Sequence, residues 1–143
     1  MAHFFVKNYA LIEHTADIGI RVKAKDLKGL FCSCAAAMFD IIAAGCPDKA
    51  GTKKILKIKQ QGSNSEELLV NWLNELLFLS ATKALIFSDF KINKLSETDI
   101  EALVTGVSAK YCRVKTEIKA ATYHALKIER VKNAWLAEVI FDV

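Results

Sequence analysis

Two segments with helical periodicity, set among segments that favour strands, most constrain the fold of this chain. Apolar residues recur at three- and four-residue spacing from Leu27 to Ile42 and again from Leu68 to Leu77. This spacing gathers the apolar side chains on one side of a helix, where they must pack against another layer. We therefore predict two long helices, the first capped at its N-terminus by Asp26.

The second helix carries a cap signal of its own. Ser63 and Glu66 stand at the spacing of a capping box, just after a turn at Gly62. The apolar stripe that follows predicts a helix running to about Ser80.

The remaining segments are rich in β-forming residues and are broken by polar turns. They cover residues 18–22, 52–61, 84–92, 102–107, 113–129 and 135–143. Two helices inserted among such strands predict an α+β protein rather than a doubly wound one. We expect two long helices packed on an antiparallel or mixed β-sheet of about six to seven strands, in a single domain spanning residues 1–143.

A run of lysines marks the segment 52–61. Its apolar residues are interleaved with four lysines, Lys53, Lys54, Lys57 and Lys59. Lysines on a strand discourage unwanted pairing, so this pattern predicts an edge strand. A contact with RNA or with a partner protein is the alternative.

The overall charge and the cysteines exclude several classes of protein. The formal net charge of +4 permits contact with RNA or an acidic protein, but it is low for a dedicated nucleic-acid binder.

The four cysteines contain no C-x-x-C pair, and we expect them to be buried, reduced thiols of a cytoplasmic protein. No segment has the pattern of a signal peptide or a membrane span, so we expect no contact with a membrane.

Potential metal or proton-transfer groups occur near both ends of the sequence. His14 and Asp17 stand three residues apart in a turn-like segment, while Asp142 directly precedes the carboxylate expected at Val143. An imidazole and several carboxylates are ligands for divalent cations and also a usable base and acid. If the two ends meet in the fold, they form a site. Otherwise Asp17 is a turn or cap residue, His14 bonds to backbone and Asp142 is a polar chain end.

Two further segments carry groups that could support a site. Lys119 to His124 reads as a strand, whose alternation sends Lys119, Ala121 and Tyr123 to one face and His124 to the other. Glu75 interrupts the apolar second helix, either as a solvent-facing residue or as a carboxylate that supports a site. The sequence has no Gly-rich phosphate loop, no G-x-S-x-G, no H-E-x-x-H and no zinc-ribbon spacing, which argues against a self-sufficient nucleotide enzyme.

Four blocks of the sequence resemble, in order and in spacing, the signature blocks of the archease family. The blocks cover residues 14–20, 68–77, 118–124 and 139–143. The resemblance implies an α+β protein that is not itself an enzyme. It implies an activator of the RNA-splicing (tRNA) ligase that promotes the ligase's GTP- and metal-dependent guanylylation and its multiple turnover, touching RNA only indirectly.

The resemblance also assigns roles to individual residues. By matched position, His14, Asp17 and Asp142 are expected to be metal ligands, with the carboxylate of Val143 as a further candidate. Lys119 is expected to contact a phosphate or an acidic partner surface, and Glu75 to act as a supporting carboxylate. Such an oxygen-rich set suits Ca²⁺, Mg²⁺ or Mn²⁺, and the imidazole also admits Zn²⁺.

Two other functions remain open alternatives. A stand-alone metal-dependent hydrolase or phosphoesterase would use Asp17 and Asp142 and turn over without a partner. An RNA-binding or chaperone-like module would use the lysine-rich strand and bind RNA in a salt-sensitive way.

Overall fold

Two helices and nine β-segments form the part of the chain that the computed structural model describes, which is residues 9–13, 17–46 and 53–143. In chain order they are β1 (Tyr9–Glu13), β2 (Asp17–Ala24), α1 (Leu27–Ile42), β3 (Ala43–Ala44), β4 (Lys54–Gln61), α2 (Ser65–Lys83), β5 (Leu85–Leu95), β6 (Asp99–Ser108), β7 (Arg113–Val114), β8 (Ala120–Val131) and β9 (Ala134–Asp142). A 3₁₀ turn, Ala109–Tyr111, joins β6 to β7.

Helix α1 begins where its cap residue predicts. The Asp26 side chain accepts a hydrogen bond of 2.7 Å from the Gly29 N–H, which satisfies one of the free amides of the first turn. The helix ends at Ile42 because Ala43 adopts an extended conformation and enters β3. Side chains are buried on most sides of α1, which therefore forms the centre of the core.

The cap of helix α2 lies one residue later than the sequence predicts. The Asn64 side chain, rather than that of Ser63, accepts from the Glu67 N–H at 2.8 Å. The Glu67 carboxylate then accepts from the N–H of Ser63 at 2.9 Å, so Glu67 rather than Glu66 reaches back. Ser63 and Asn64 are both good cap residues, and the fold uses the second.

Helix α2 also extends beyond the predicted end at Ser80. It continues to Lys83 and stops at Ala84, whose φ of 52° is left-handed and whose N–H donates to the Ser80 carbonyl. This ending resembles a glycine cap, but alanine occupies the left-handed position, so no sequence signal marks it.

The strands form two main antiparallel sheets. One has the order β1-β2-β9-β8, the other has the order β4-β6-β5, and the short segments β3 and β7 pair separately. These elements confirm the α+β prediction. The described residues contain nine strands in two main sheets, rather than one sheet of six to seven strands, because two-residue segments β3 and β7 add to seven longer strands. Strand β4 lies at an edge, as its lysines predict.

The helices join the two sheets through one apolar core. Helix α1 contacts β2 and β5, and helix α2 contacts β8, β4 and β5, so each helix touches both sheets. Trp72 is fully buried, donates its indole N–H to the Phe31 carbonyl at 3.1 Å and lies edge-on to Phe90. These contacts of Trp72 fix α2 against α1 and β5.

The expectation of four reduced cysteines is wrong for two of them. Cys46 and Cys112 form a disulfide with their Cα atoms 4.4 Å apart, across a sequence separation of 66 residues. Cys32 and Cys34 are free, and burial raises the pKa of the Cys34 thiol to about 12. No short sequence spacing signals this disulfide, because Cys46 and Cys112 are distant in sequence and lie beside the paired strands β3 and β7.

Within the described ranges, no helix is both long enough and apolar enough to cross a membrane.

Candidate metal centre

Asp17 and Asp142 face each other across neighbouring strands. Asp17 opens β2 and Asp142 ends β9, and the antiparallel register pairs them directly. On the other side of β9, Ala120 at the start of β8 is paired with Asp142. The segments near the two ends of the sequence therefore meet at one end of the four-stranded sheet.

The backbone hydrogen bonds show which kind of antiparallel pair Asp17 and Asp142 form. The Lys119 N–H donates to the Asp142 carbonyl at 2.8 Å, so this carbonyl points toward β8 and away from β2. Asp17 and Asp142 then form a pair without mutual backbone hydrogen bonds, for which the Cα atoms lie about 4.5 Å apart and the side chains are closest. Both side chains project from the same face of the sheet.

An ion pair on the same face does not neutralise them. Arg21 and Glu138 are paired farther along the same two strands, and Arg21 Nε donates to Glu138 Oε2 at 2.6 Å. Among the described residues, neither Asp17 nor Asp142 takes part in an ion pair. Two like charges directly across a strand pair destabilise a sheet, so a bound cation would relieve this repulsion.

Asp17 also lines a cavity of about 500 Å³ beside α1 and β1. Tyr9, Asp40 and Lys115 line the same cavity, and the Tyr9 hydroxyl donates to Asp40 Oδ2 at 2.8 Å. Burial, this hydrogen bond and the nearby carboxylate raise the pKa of the Tyr9 phenol, which keeps it a donor. The sequence does hold a signal for Asp40, because it interrupts the longest run of small apolar residues.

Lys119 lies immediately before β8 rather than within it. Its side chain is exposed and its N–H bonds to Asp142, which places the residue beside the carboxylate pair. The predicted alternation along this segment holds only to Thr122. Between the pairs Thr122↔Ile140 and Lys127↔Glu138, β8 contains several more residues than β9, and Ala125 has a φ of 53°.

Glu75 is half-buried on α2, and its neighbour makes the contacts that sequence reasoning missed. Asn74 Oδ1 accepts from the Ala121 N–H at 2.8 Å, and Asn74 Nδ2 donates to the Ala121 carbonyl at 3.1 Å. The only sequence signal for this role is the polar interruption of an apolar helix.

The structure describes three of the four candidate metal ligands, Asp17, Asp142 and Val143. His14 lies outside the residues that the structure describes, while Val143 directly follows Asp142 and is exposed. Within residues 9–13, 17–46 and 53–143, no three His, Cys, Asp or Glu side chains cluster closely enough to hold a metal. The described donors are two carboxylates, whose hard oxygens fit Ca²⁺, Mg²⁺ or Mn²⁺. The metal roles of Asp17 and Asp142 stay predictions, as do those of His14 and Val143.

Comparisons with known proteins agree with the resemblance of the four blocks. The chain matches the archease protein family (MTH1598/TM1083) over residues 9–143. The archease of Pyrococcus abyssi is 34% identical over 145 residues, covering 96% of this chain and 100% of that protein. The archease of Pyrococcus furiosus is 36% identical over 138 residues, covering 92% of this chain and 95% of that protein.

Solved structures show the same fold. The solution structure of Methanobacterium thermoautotrophicum protein 1598 has a TM-score of 0.74 and 27% identity, covering 96% of this chain and 99% of that one. The crystal structure of an archease from Thermotoga maritima, described as a possible chaperone, has a TM-score of 0.66 and 22% identity, covering 92% and 94%. The family match over nearly the whole chain, together with these relatives, shows that the chain belongs to the archease family.

Proposed function

We propose that this protein is a non-catalytic, cation-binding activator of the RNA-splicing (tRNA) ligase, acting in the cytoplasm. It would promote GTP-dependent guanylylation of the ligase and its multiple turnover in tRNA splicing or RNA repair. The observation that carries this proposal is the facing pair Asp17 and Asp142, which have no ion-pair partner among the described residues.

The cation would be held at the end of the four-stranded sheet. Asp17 and Asp142 would supply hard oxygen ligands, and His14 and Val143 are the further candidates from the sequence. Ca²⁺, Mg²⁺ or Mn²⁺ suits the carboxylates, and Zn²⁺ would need the imidazole. Glu75 is proposed only as a supporting carboxylate.

The exposure of the site supports an accessory role. Asp142 and Lys119 are both exposed, so groups of a partner protein can approach them directly. A divalent cation there would supply positive charge that offsets the charge of a transferring phosphoryl group. Lys119 would contact a phosphate or an acidic surface of the ligase, and RNA would be reached only through the ligase.

The test is multiple-turnover RNA ligation by the cognate ligase with GTP and Mn²⁺. Wild-type protein is expected to stimulate turnover, and the Asp17→Ala, Asp142→Ala double variant is expected to lose that stimulation. The matched control is the Asp89→Ala, Glu97→Ala double variant, which removes two exposed carboxylates from the other sheet and its turn. This control should stimulate normally.

Three results would contradict the proposal, each in a different way. Equal stimulation by wild type and the Asp17, Asp142 variant would keep the partner but remove the cation site from the mechanism. Hydrolysis of phosphoesters by the purified protein alone would favour a stand-alone enzyme. Salt-sensitive RNA binding that survives the double substitution, without any stimulation, would favour an RNA-binding or chaperone-like module.

A further inference from the structure

Asn74 makes a two-point contact between helix α2 and the start of strand β8. Its side-chain oxygen accepts from the Ala121 N–H at 2.8 Å, and its side-chain nitrogen donates to the Ala121 carbonyl at 3.1 Å. One amide group thus satisfies both backbone groups of one residue. The contact joins residues far apart in sequence, so it fixes tertiary structure rather than local conformation.

The contact lies at the open edge of the sheet. Strand β8 is the outermost strand in the order β1-β2-β9-β8, so alternate residues direct their N–H and C=O away from β9. Ala121 is one of these residues, and Asn74 takes the place that a further strand would have. Loss of the amide would leave two partly buried backbone groups without protein partners.

A short path leads from this contact to the carboxylate pair. Ala120, the residue before Ala121, is paired with Asp142, and the N–H of Lys119 donates to the Asp142 carbonyl at 2.8 Å. Asn74 therefore holds a three-residue segment that borders Asp142 along its backbone. The opposite side of Asp142 is held by β2, where Asp17 is its partner.

We propose that Asn74 is a positioning residue for the cation site, which fixes the start of β8 so that Asp142 and Lys119 stay aligned with Asp17. This proposal rests on the proposed cation-binding function of the carboxylate pair. Asn74 itself touches neither carboxylate. It acts through the backbone of Ala121, in the way that groups outside the ligand set orient the ligands of other metal sites.

Helix α2 supplies a matched control one turn earlier. Asn71 donates its side-chain amide to the Gln61 carbonyl at 2.7 Å, at the end of β4 in the other sheet. Asn71 and Asn74 are thus the same residue type on the same helix, each bound to strand backbone. Only Asn74 leads to the carboxylate pair, so a general loss of stability and a loss of positioning can be separated.

The experiment measures Mn²⁺ binding by titration calorimetry for wild type, Asn74→Ala and Asn71→Ala, well below the unfolding temperature of each. Asn74→Ala is expected to weaken binding by about tenfold or more, as for other residues that orient metal ligands. Asn71→Ala should bind Mn²⁺ as wild type does. Without metal, the Lys119 amide should exchange its hydrogen faster in Asn74→Ala than in Asn71→Ala.

The outcomes separate this proposal from the function on which it rests. Wild type that binds no Mn²⁺ would overturn both the cation site and the role of Asn74. Wild-type affinity in Asn74→Ala would overturn the positioning role alone, as would equal weakening by Asn71→Ala. If Asn74→Ala does not fold, Asn74→Gln keeps the amide but lengthens the side chain, and unchanged affinity in that variant would also overturn it.

Discussion

Asp17 and Asp142 occupy facing positions that a sheet normally gives to other pairs of residues. Their register places like charges directly opposite each other, where opposite charges or apolar side chains would stabilise the sheet. Arg21 and Glu138 show the favourable arrangement on the same two strands. The contrast supports the proposal that the Asp17 and Asp142 pair binds a cation.

At the same scale, Tyr9 provides a prediction about pH. Tyr9→Phe removes the hydrogen bond to Asp40 and should lower the free energy of unfolding by about 1 kcal/mol near pH 8, because the pair is only partly buried. Folding raises the pKa of this phenol above its usual 10.0. As pH rises, the Tyr9 phenol therefore loses its proton in the unfolded chain before it does so in the folded protein. The difference in free energy of unfolding between wild type and Tyr9→Phe should shrink as pH rises above 10.0.

Urea unfolding of wild type and Tyr9→Phe at a series of pH values from 8 to 11 would test this. The difference between the two proteins is the relevant quantity, because lysines and other tyrosines titrate in both. A difference that stays constant, or grows, above the usual tyrosine pKa would show that the Tyr9 to Asp40 bond does not stabilise the fold in this way.

At the scale of elements, the disulfide ties the segment after β3 to the segment before β7. Cys46 and Cys112 enclose a loop with a sequence separation of 66 residues, and the chain-entropy relation gives about 4 kcal/mol for such a loop as an upper value. Reduction should therefore lower the free energy of unfolding by up to that amount. Urea unfolding with and without a phosphine reductant measures the effect.

The matched variants for this prediction are Cys46→Ser and Cys32→Ser. Cys46→Ser should unfold at the same urea concentration with and without reductant, whereas Cys32→Ser, which leaves the disulfide intact, should keep the sensitivity of wild type. Four reactive thiols in the unreduced, denatured wild type would contradict the pairing itself, since only Cys32 and Cys34 are free.

The elements also show which features a sequence can predict. The Asp26 cap and the two helices follow from local spacing, which needs no knowledge of the rest of the fold. The cap at Asn64 was missed by one residue, because Ser63 beside it has the same chemistry and only packing chooses between them. The disulfide and the contact of Asn74 with Ala121 join segments that are far apart in sequence. Neither therefore produces a periodic pattern that could be recognised in the sequence.

At the scale of the molecule, the candidate site joins segments from near both ends of the sequence. The pairing of β2 with β9 brings Asp17 to Asp142, and the helices hold this sheet against the other. Both carboxylates stand out in the sequence, but only the family resemblance favours a site over a turn residue and a polar chain end. Only the register shows that the two side chains face each other.

Because β2 and β9 are central strands of the four-stranded sheet, a cation bound between them should stabilise the whole fold. Without metal, Asp142→Asn should unfold at the same or a higher temperature than wild type, since it removes the repulsion with Asp17. With Mn²⁺ at roughly 100 times the dissociation constant, wild type should gain about 2.7 kcal/mol and Asp142→Asn much less. Wild type should therefore melt at a higher temperature than Asp142→Asn once Mn²⁺ is added. Removal of the metal with a chelator should return both melting temperatures to their metal-free values. Calorimetric melting with and without Mn²⁺ tests this, with Asp89→Asn as the control that should respond as wild type does. Wild type that melts at the same temperature in both conditions would mean that the facing carboxylates do not bind Mn²⁺.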